Sequence, residues 1–186
     1  EMVRARIAQA KATGLNGIEA HSDSRPLAAE LGSTAHFLEV GSAPSAHAHI
    51  VHLSSARGFQ LVDMYRAAGF RSTGELCVHY LWFDPTLHGS ELGARMKVNP
   101  PIRPGQIEPL WNEVVAGRVA FVSSDHSSWP IDNKLTDSIF EAGAGVPGLE
   151  TLLPAFFTGA QQRGLSAPEL TARMLCENPA RFFGLW

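Results

Sequence analysis

His49-Ile50-Val51-His52-Leu53-Ser54-Ser55 sets a short β-branched run against two small hydroxyl residues. The run is too brief for a helix, so it predicts a buried strand over residues 49–53. Behind it, residues 56–68 place Phe59, Val62 and Met64 on a helical pattern that Gly69 closes. Ahead of it lie a breaker cluster, residues 41–45, and a helical pattern over 26–40 marked by Leu27, Leu31 and Leu38, with Pro26 in its first turn. Further along, residues 72–78 and 119–123 predict two more strands, and 106–116 a helix around Leu110, Trp111 and Val114.

The ends and connections complete the reading. Val3, Ile7 and Ala10 predict an amphipathic helix over residues 2–13, with neither the apolar core nor the small-residue pattern of a signal peptide. The chain is therefore expected to begin inside a fold. Residues 84–105, with Pro85, Pro100, Pro101 and Pro104, and residues 125–148 predict long loops, a length usually functional or disordered. Residues 149–162 and 167–175 close the chain as helices, the last with a Ser166–Glu169 capping box.

Strands alternating with helices predict a parallel α/β fold, and the lack of polar alternation fits a sheet covered on its faces. A doubly wound sheet and a (β/α)₈ barrel both satisfy this pattern. No Gly-x-Gly-x-x-Gly follows a strand, which weakens the dinucleotide-binding form.

Composition narrows the function classes. The chain has 186 residues, 45% of them hydrophobic, with 15 Lys+Arg against 18 Asp+Glu and a net charge of -3. That balance argues against a nucleic-acid surface, and no basic amphipathic block points to a membrane. Two Cys are too few for a disulfide framework, so a reducing, cytoplasmic setting is expected.

In either α/β architecture the chemistry sits at the carboxyl ends of strands. His52 and Asp125 fall there, with His126 beside the latter. Imidazole and carboxylate are ligands of catalytic zinc, although a hydrogen-bonded core histidine and a turn-capping aspartate are open readings too. His47 and His49 share a strand face but would lie at its amino end. His36, His79 and His88 have no partner at ligand spacing and read as structural, and Cys77 and Cys176 as small buried hydrophobes. No Gly-x-Ser-x-Gly elbow exists, which disfavours a serine hydrolase.

Five blocks in order then carry a resemblance. His49-Ile50-Val51-His52-Leu53-Ser54-Ser55-Ala56 resembles a strand-end segment of the cyclic amidohydrolases: dihydropyrimidinases (hydantoinases), allantoinases and dihydroorotases. Glu75-Leu76-Cys77-Val78-His79-Tyr80-Leu81 is similar to the family's Glu-Thr-Cys-Pro-His-Tyr-Leu, and Lys97-Val98-Asn99-Pro100-Pro101-Ile102-Arg103 to its Lys-Val-Asn-Pro-Pro-Leu-Arg. Ser124-Asp125-His126 resembles its Ser-Asp-His, and Asn178-Pro179-Ala180-Arg181-Phe182-Phe183-Gly184-Leu185 its closing helix; Ser24-Arg25-Pro26 also fits.

The resemblance implies a (β/α)₈ barrel hydrolase of cyclic amides with two zinc ions bridged by hydroxide. By residue match, His52 would ligate one metal, Asp125 would ligate the other and move the proton to the departing nitrogen, and Asn99 would meet the substrate ring. The small-molecule cyclic amide would be the partner, and the enzyme a homo-oligomer, dimer or tetramer.

The family's amino-terminal His-x-His, carboxylated Lys and first lone His are absent here. His21, in Glu19-Ala20-His21, imitates a ligand block but sits three residues before Ser24-Arg25-Pro26, so it and His126 are subsidiary candidates. Ser127-Ser128-Trp129 is closer to the allantoinase pattern than to the dihydroorotase one, and Ala144 stands where hydantoinases carry Asn. Asn99 and Gly148-Leu149-Glu150-Thr151 favour dihydroorotase as the enzymatic alternative. The rival of another class is a non-catalytic relative kept for assembly. Since a full barrel needs about 250 residues, residues 1–186 are expected to be the carboxyl-terminal portion, without the amino-terminal half and the terminal sandwich segment. With two candidate ligands, the isolated chain is expected to bind metal weakly at most.

Overall fold

The computed structural model describes residues 1–43 and 46–186; Pro44 and Ser45, within the expected breaker cluster, lie outside the described residues. The helices are α1 (Met2–Ala12), α2 (Ile18–Ser24), α3 (Leu27–Val40), α4 (Ala56–Ala67), α5 (Pro85–Leu92), α6 (Ile107–Val115), α7 (Ile131–Lys134), α8 (Leu152–Gln162), α9 (Ala167–Ala172) and α10 (Asn178–Phe182). The strands are β1 (Ala48–Ile50), β2 (Ser72–Gly74), β3 (Leu76–Cys77) and β4 (Val122–Ser123).

β1 pairs in parallel with β2, His49 opposite Thr73, and β3 with β4, Cys77 opposite Ser123. β2 and β3 are one run interrupted at Glu75, whose amide donates to the Ile50 carbonyl at 2.9 Å and whose carbonyl accepts from Leu53 N–H at 3.1 Å. Three parallel lanes therefore lie side by side in sequence order. α4 connects the first lane to the second, α5 and α6 connect the second to the third, and α4 packs on α6. Neighbours in chain order with crossover helices packed together are the arrangement of a partial (β/α)₈ barrel; a doubly wound sheet reverses order and uses both faces.

The two faces of these lanes differ. Leu76 and Val122 join the core with Phe59, Leu110, Trp111 and Val114. Trp111 stacks on Phe156 of α8 at 5.3 Å between centroids. Gly159 allows that approach, since a Cβ there would lie 2.5 Å from the Trp111 ring. The alternate residues build a polar column: Thr73 Oγ1 meets His49 Nδ1 at 2.8 Å, His49 Nε2 meets Glu75 Oε2 at 3.3 Å, and Ser123 Oγ donates to Glu75 Oε1 at 3.0 Å. The expected lack of polar alternation is thus corrected: the inner face is polar because in a barrel it faces side chains rather than a helix layer.

Other differences have local causes. The strand expected over 49–53 ends at Ile50 because His52 turns the chain, and 72–78 divides at Glu75 before a 3₁₀ turn over Val78–Leu81. The loop expected over 84–105 contains α5: Asp84 Oδ1 accepts from Thr86 N–H at 2.8 Å as N-cap, and Pro85 starts the first turn. Residues 125–148 contain the single turn α7, and α2 forms where no helix was expected. Ser166 makes no side-chain cap bond, so the capping box is not formed, and the helix expected over 167–175 continues through a π turn, Arg173–Glu177, into α10. Cys176 is exposed, not a buried hydrophobe. Among the described residues, no helix is long and apolar enough to cross a membrane.

Candidate active site

Each parallel lane is followed, two residues past its last paired position, by a side chain able to bind a metal. His52 follows Ile50, His79 follows Cys77, and Asp125 follows Ser123. His52 and Asp125 hold φ of 42° and 45°, and they are the two non-glycine residues with positive φ among the described residues. An L-residue there is strained by about 1–3 kcal/mol and persists only where the surroundings impose it, as functional sites do. At His52 the imposing contacts are the Glu75–Ile50 and Leu53–Glu75 backbone bonds on either side. Beyond Asp125, His126 bridges to Val146, and Ser127 N–H donates to the Val146 carbonyl at 3.0 Å.

Donor atoms of Cys77, His79 and Asp125 all lie within 4.8 Å of one another. Both ring nitrogens of His79 are buried without a hydrogen-bond partner, and so is Nδ1 of His52. A buried polar atom left unpaired destabilises by about 1–3 kcal/mol, so three such nitrogens at one strand-end cluster are groups awaiting a partner. Burial, then the neighbouring His52, lowers the His79 pKa to about 4, so its ring is neutral at neutral pH, with one nitrogen free to accept and the other bearing the proton. Burial raises the Cys77 thiol to about 12, against the Ser123 hydrogen bond and with the Asp125 and Glu75 charges adding to it. Glu75 is held below the usual carboxylate range: burial raises it, but hydrogen bonds from His49 and Ser123 outweigh that. Imidazole, carboxylate and thiol are the donors that divalent zinc takes, and the cluster fits such an ion.

The remaining candidates fall into two groups. Asn99 is exposed and lines, with His52, Arg25, Glu30 and Arg103, a cavity of about 360 Å³. An ion-paired network holds that cavity's wall: Arg103 donates to Glu30 Oε2 at 2.7 Å, to Ser54 Oγ at 2.7 Å and to the Arg25 carbonyl at 3.0 Å. Tyr80 donates from its hydroxyl to the Pro100 carbonyl at 2.7 Å, after a cis Asn99–Pro100 bond.

His21 and His126 are engaged elsewhere. His21 Nε2 donates to the Val98 carbonyl at 2.8 Å and Nδ1 accepts from Arg25 at 3.1 Å. His126 Nδ1 accepts from the amides of Gly148 and Leu149 at 3.1 and 3.2 Å.

His79 reads as structural from the sequence and Lys134 falls in no motif, yet the structure places His79 in the strand-end cluster. The signal for His79 was its offset from the strand end, the same as that of His52 and Asp125. Lys134 is buried and donates to the carbonyls of Lys97 and Gly143 at 3.0 Å each and of Gly145 at 2.8 Å, clamping two strand-end loops together. No single-sequence pattern announces that contact.

No protein-family model matches the chain. Among curated proteins, the allantoinase of Rubrobacter xylanophilus is 43% identical over 163 residues, 87% of this chain and 36% of that protein. The allantoinase of Deinococcus radiodurans is 35% identical over 187 residues, 100% of this chain and 41% of that protein. Among solved structures, the L-hydantoinase (dihydropyrimidinase) of Arthrobacter aurescens superposes with a TM-score of 0.93 at 28% identity, over 100% of this chain and 42% of that one. The dihydroorotase of Saccharomyces cerevisiae shares the fold, with a TM-score of 0.72 at 17% identity, over 85% of this chain and 44% of that one. The chain thus spans roughly two-fifths of the length of the proteins it matches. Five ordered motifs, parallel lanes of a partial barrel and these relatives agree, and the chain is identified as part of the cyclic amidohydrolase family, a family of metal-dependent hydrolases.

Proposed function

We propose that the protein carrying this segment hydrolyses a ring C–N bond of a small cyclic amide, with allantoin the first choice and hydantoins or dihydropyrimidines next. The observation that carries this is the pair His52 and Asp125, strained alike at the ends of barrel lanes beside unpaired buried nitrogens. The choice of allantoin is supported by the name of the relatives at 43% and 35% identity. We further propose that the segment is the carboxyl-terminal portion of the barrel, that the native metal is zinc as a pair, and that other ligands come from sequence upstream. A homo-oligomer in the cytoplasm completes the reading; the two free cysteines fit a reducing compartment.

Zinc, when bound, supplies Lewis acidity toward the ring carbonyl and a nucleophile at neutral pH. His52 would hold it through a ring nitrogen. The Asp125 carboxylate would take the nucleophile's proton and deliver it to the departing ring nitrogen, which otherwise leaves as a poor anion. Asn99, at the cavity mouth with His52, would orient the ring amide by hydrogen bonds.

The test is turnover by the complete zinc-loaded protein of allantoin, hydantoin, dihydrouracil and dihydroorotate. Turnover of allantoin above the other three is expected. Turnover of none, with metal content unchanged by His52→Ala, rejects the enzyme in favour of a non-catalytic relative.

A further inference from the structure

We infer that Lys134 is a positioning residue for the substrate ring: its ammonium locks the loop carrying Asn99 to the loop that holds the segment after Asp125. The inference deepens the proposed hydrolase and rests on that reading, since Asn99 and Asp125 are the groups it would keep in register.

The backbone on either side of Asn99 is tied down carbonyl by carbonyl. The Lys97 carbonyl accepts from Lys134 Nζ at 3.0 Å and from Gly145 N–H at 2.9 Å. The Val98 carbonyl pairs with His21 Nε2 at 2.8 Å, and the Pro100 carbonyl accepts from the Tyr80 hydroxyl at 2.7 Å. The Asn99 side chain, exposed at the cavity that His52 also lines, is not part of that network.

Residues 142–145 form neither helix nor strand, yet all four of their carbonyls accept from side chains. Lys97 Nζ donates to Ala142, Lys134 Nζ to Gly143 at 3.0 Å, Trp129 Nε1 to Ala144 at 3.1 Å, and Lys134 Nζ to Gly145 at 2.8 Å. The next carbonyl, of Val146, accepts at 3.0 Å from the N–H of Ser127, two residues past Asp125. Gly145 permits the crossing: a Cβ there would lie 2.5 Å from Ser127. The loop is thus a hub, bonded to the Asn99 loop through Lys97 and Lys134 and to the Asp125 segment through Ser127 and Trp129. Losing Lys134 leaves Asn99 and Asp125 free to drift apart, and small misplacements of orienting groups weaken binding and turnover.

The charge of Lys134 is unusual. A buried lysine is normally paired, but among the described residues neither Lys134 nor Lys97 has a carboxylate partner. Three carbonyls match the three donors of the ammonium instead. Burial, then Lys97 in the Asn99 loop, lowers the Lys134 pKa to about 8. His21 of α2 lies within reach of the same charge and, with a pKa of about 4, is neutral there; Arg25 acts on both His21 and Lys97. Above about pH 8 the neutral amine keeps two N–H donors, so one of the three carbonyls is released.

The test uses the complete zinc-loaded protein, with kcat and KM for allantoin and hydantoin measured on either side of pH 8. In the wild type KM should rise several-fold through about pH 8. Lys134→Met should raise KM about tenfold below that pH and abolish the step, with zinc content unchanged because Lys134 bonds to neither His52 nor Asp125. A purely structural lysine would change stability without removing a step in KM. If the variant does not fold, the wild-type profile still decides. A wild-type KM flat through pH 8, a step that survives Lys134→Met, or an unchanged KM in the folded variant overturns the inference and leaves the hydrolase reading standing. No turnover of either ring by the wild type at any pH rejects that reading, and the inference with it.

Discussion

His52 and Asp125 hold the same left-handed backbone, φ 42° and 45°, each two residues past the end of a parallel lane. The shared conformation bends both chains at the strand mouth and sets an imidazole and a carboxylate there. Neither residue type is required by the turn itself, since glycine would adopt it without strain.

That separates strain from chemistry in one experiment. His52→Ala and His52→Gly both remove the imidazole, but only alanine keeps a Cβ at positive φ. Elsewhere glycine is the less stable of the two by about 0.5–1 kcal/mol. At position 52 the order should invert, with the glycine variant about 1 kcal/mol more stable in urea unfolding. Alanine being the more stable would show that the bend is relaxed.

These two residues were legible in the sequence because they follow apolar runs, and a strand's carboxyl end is where such folds keep reactive groups. Cys77 and His79 were not legible as donors. They sit in a run whose neighbours Leu76, Val78, Tyr80 and Leu81 are apolar and buried, so burial hides their role. α5 was obscured by the proline count of its surroundings, although Asp84-Pro85 is a helix start by capping rules. The contacts of Lys134 with Lys97 and Gly145 depend on loops meeting in space, which no local pattern encodes.

The Arg103–Glu30 pair gives a second expectation. Both side chains are about 10% exposed, and Arg103 also reaches Ser54 and the Arg25 carbonyl. Arg103→Leu leaves the Glu30 carboxylate buried without its cation and should destabilise by about 3–5 kcal/mol. The double variant with Glu30→Leu should recover a large part of that loss. Additive losses in denaturant unfolding would mean that the pair is screened by water.

Lys134 anchors three carbonyls from within the protein. Lys134→Met keeps the aliphatic stem but leaves those acceptors unpaired, at about 1–3 kcal/mol for each that water cannot reach. The loop through Ala144 and Gly145 should then open, seen as faster amide exchange at Gly145, whose N–H donates to the Lys97 carbonyl at 2.9 Å. Unchanged exchange at Gly145 would show that this backbone bond holds the loops without the lysine.

His21 provides the pH dependence. Burial, opposed by the Val98 hydrogen bond and reinforced by Arg25, Lys97 and Lys134, lowers its pKa from 6.5 to about 4. Between those values the unfolded chain binds a proton that the folded chain refuses. Stability is therefore intact above pH 6.5, falls as pH drops toward 4, and loses nothing further from this group below that. The difference corresponds to about 3 kcal/mol across the window. His79, also lowered to about 4 in the metal-free protein, titrates in the same range and adds to the wild-type slope. The measurement is thus a comparison: His21→Gln should flatten the stability profile between pH 6.5 and 4 in the metal-free chain, with His79 and His47, both also lowered by burial, supplying the slope that remains. Equal slopes for the variant and the wild type would mean that His21 accepts its proton in the folded state, with Nδ1 released from Arg25.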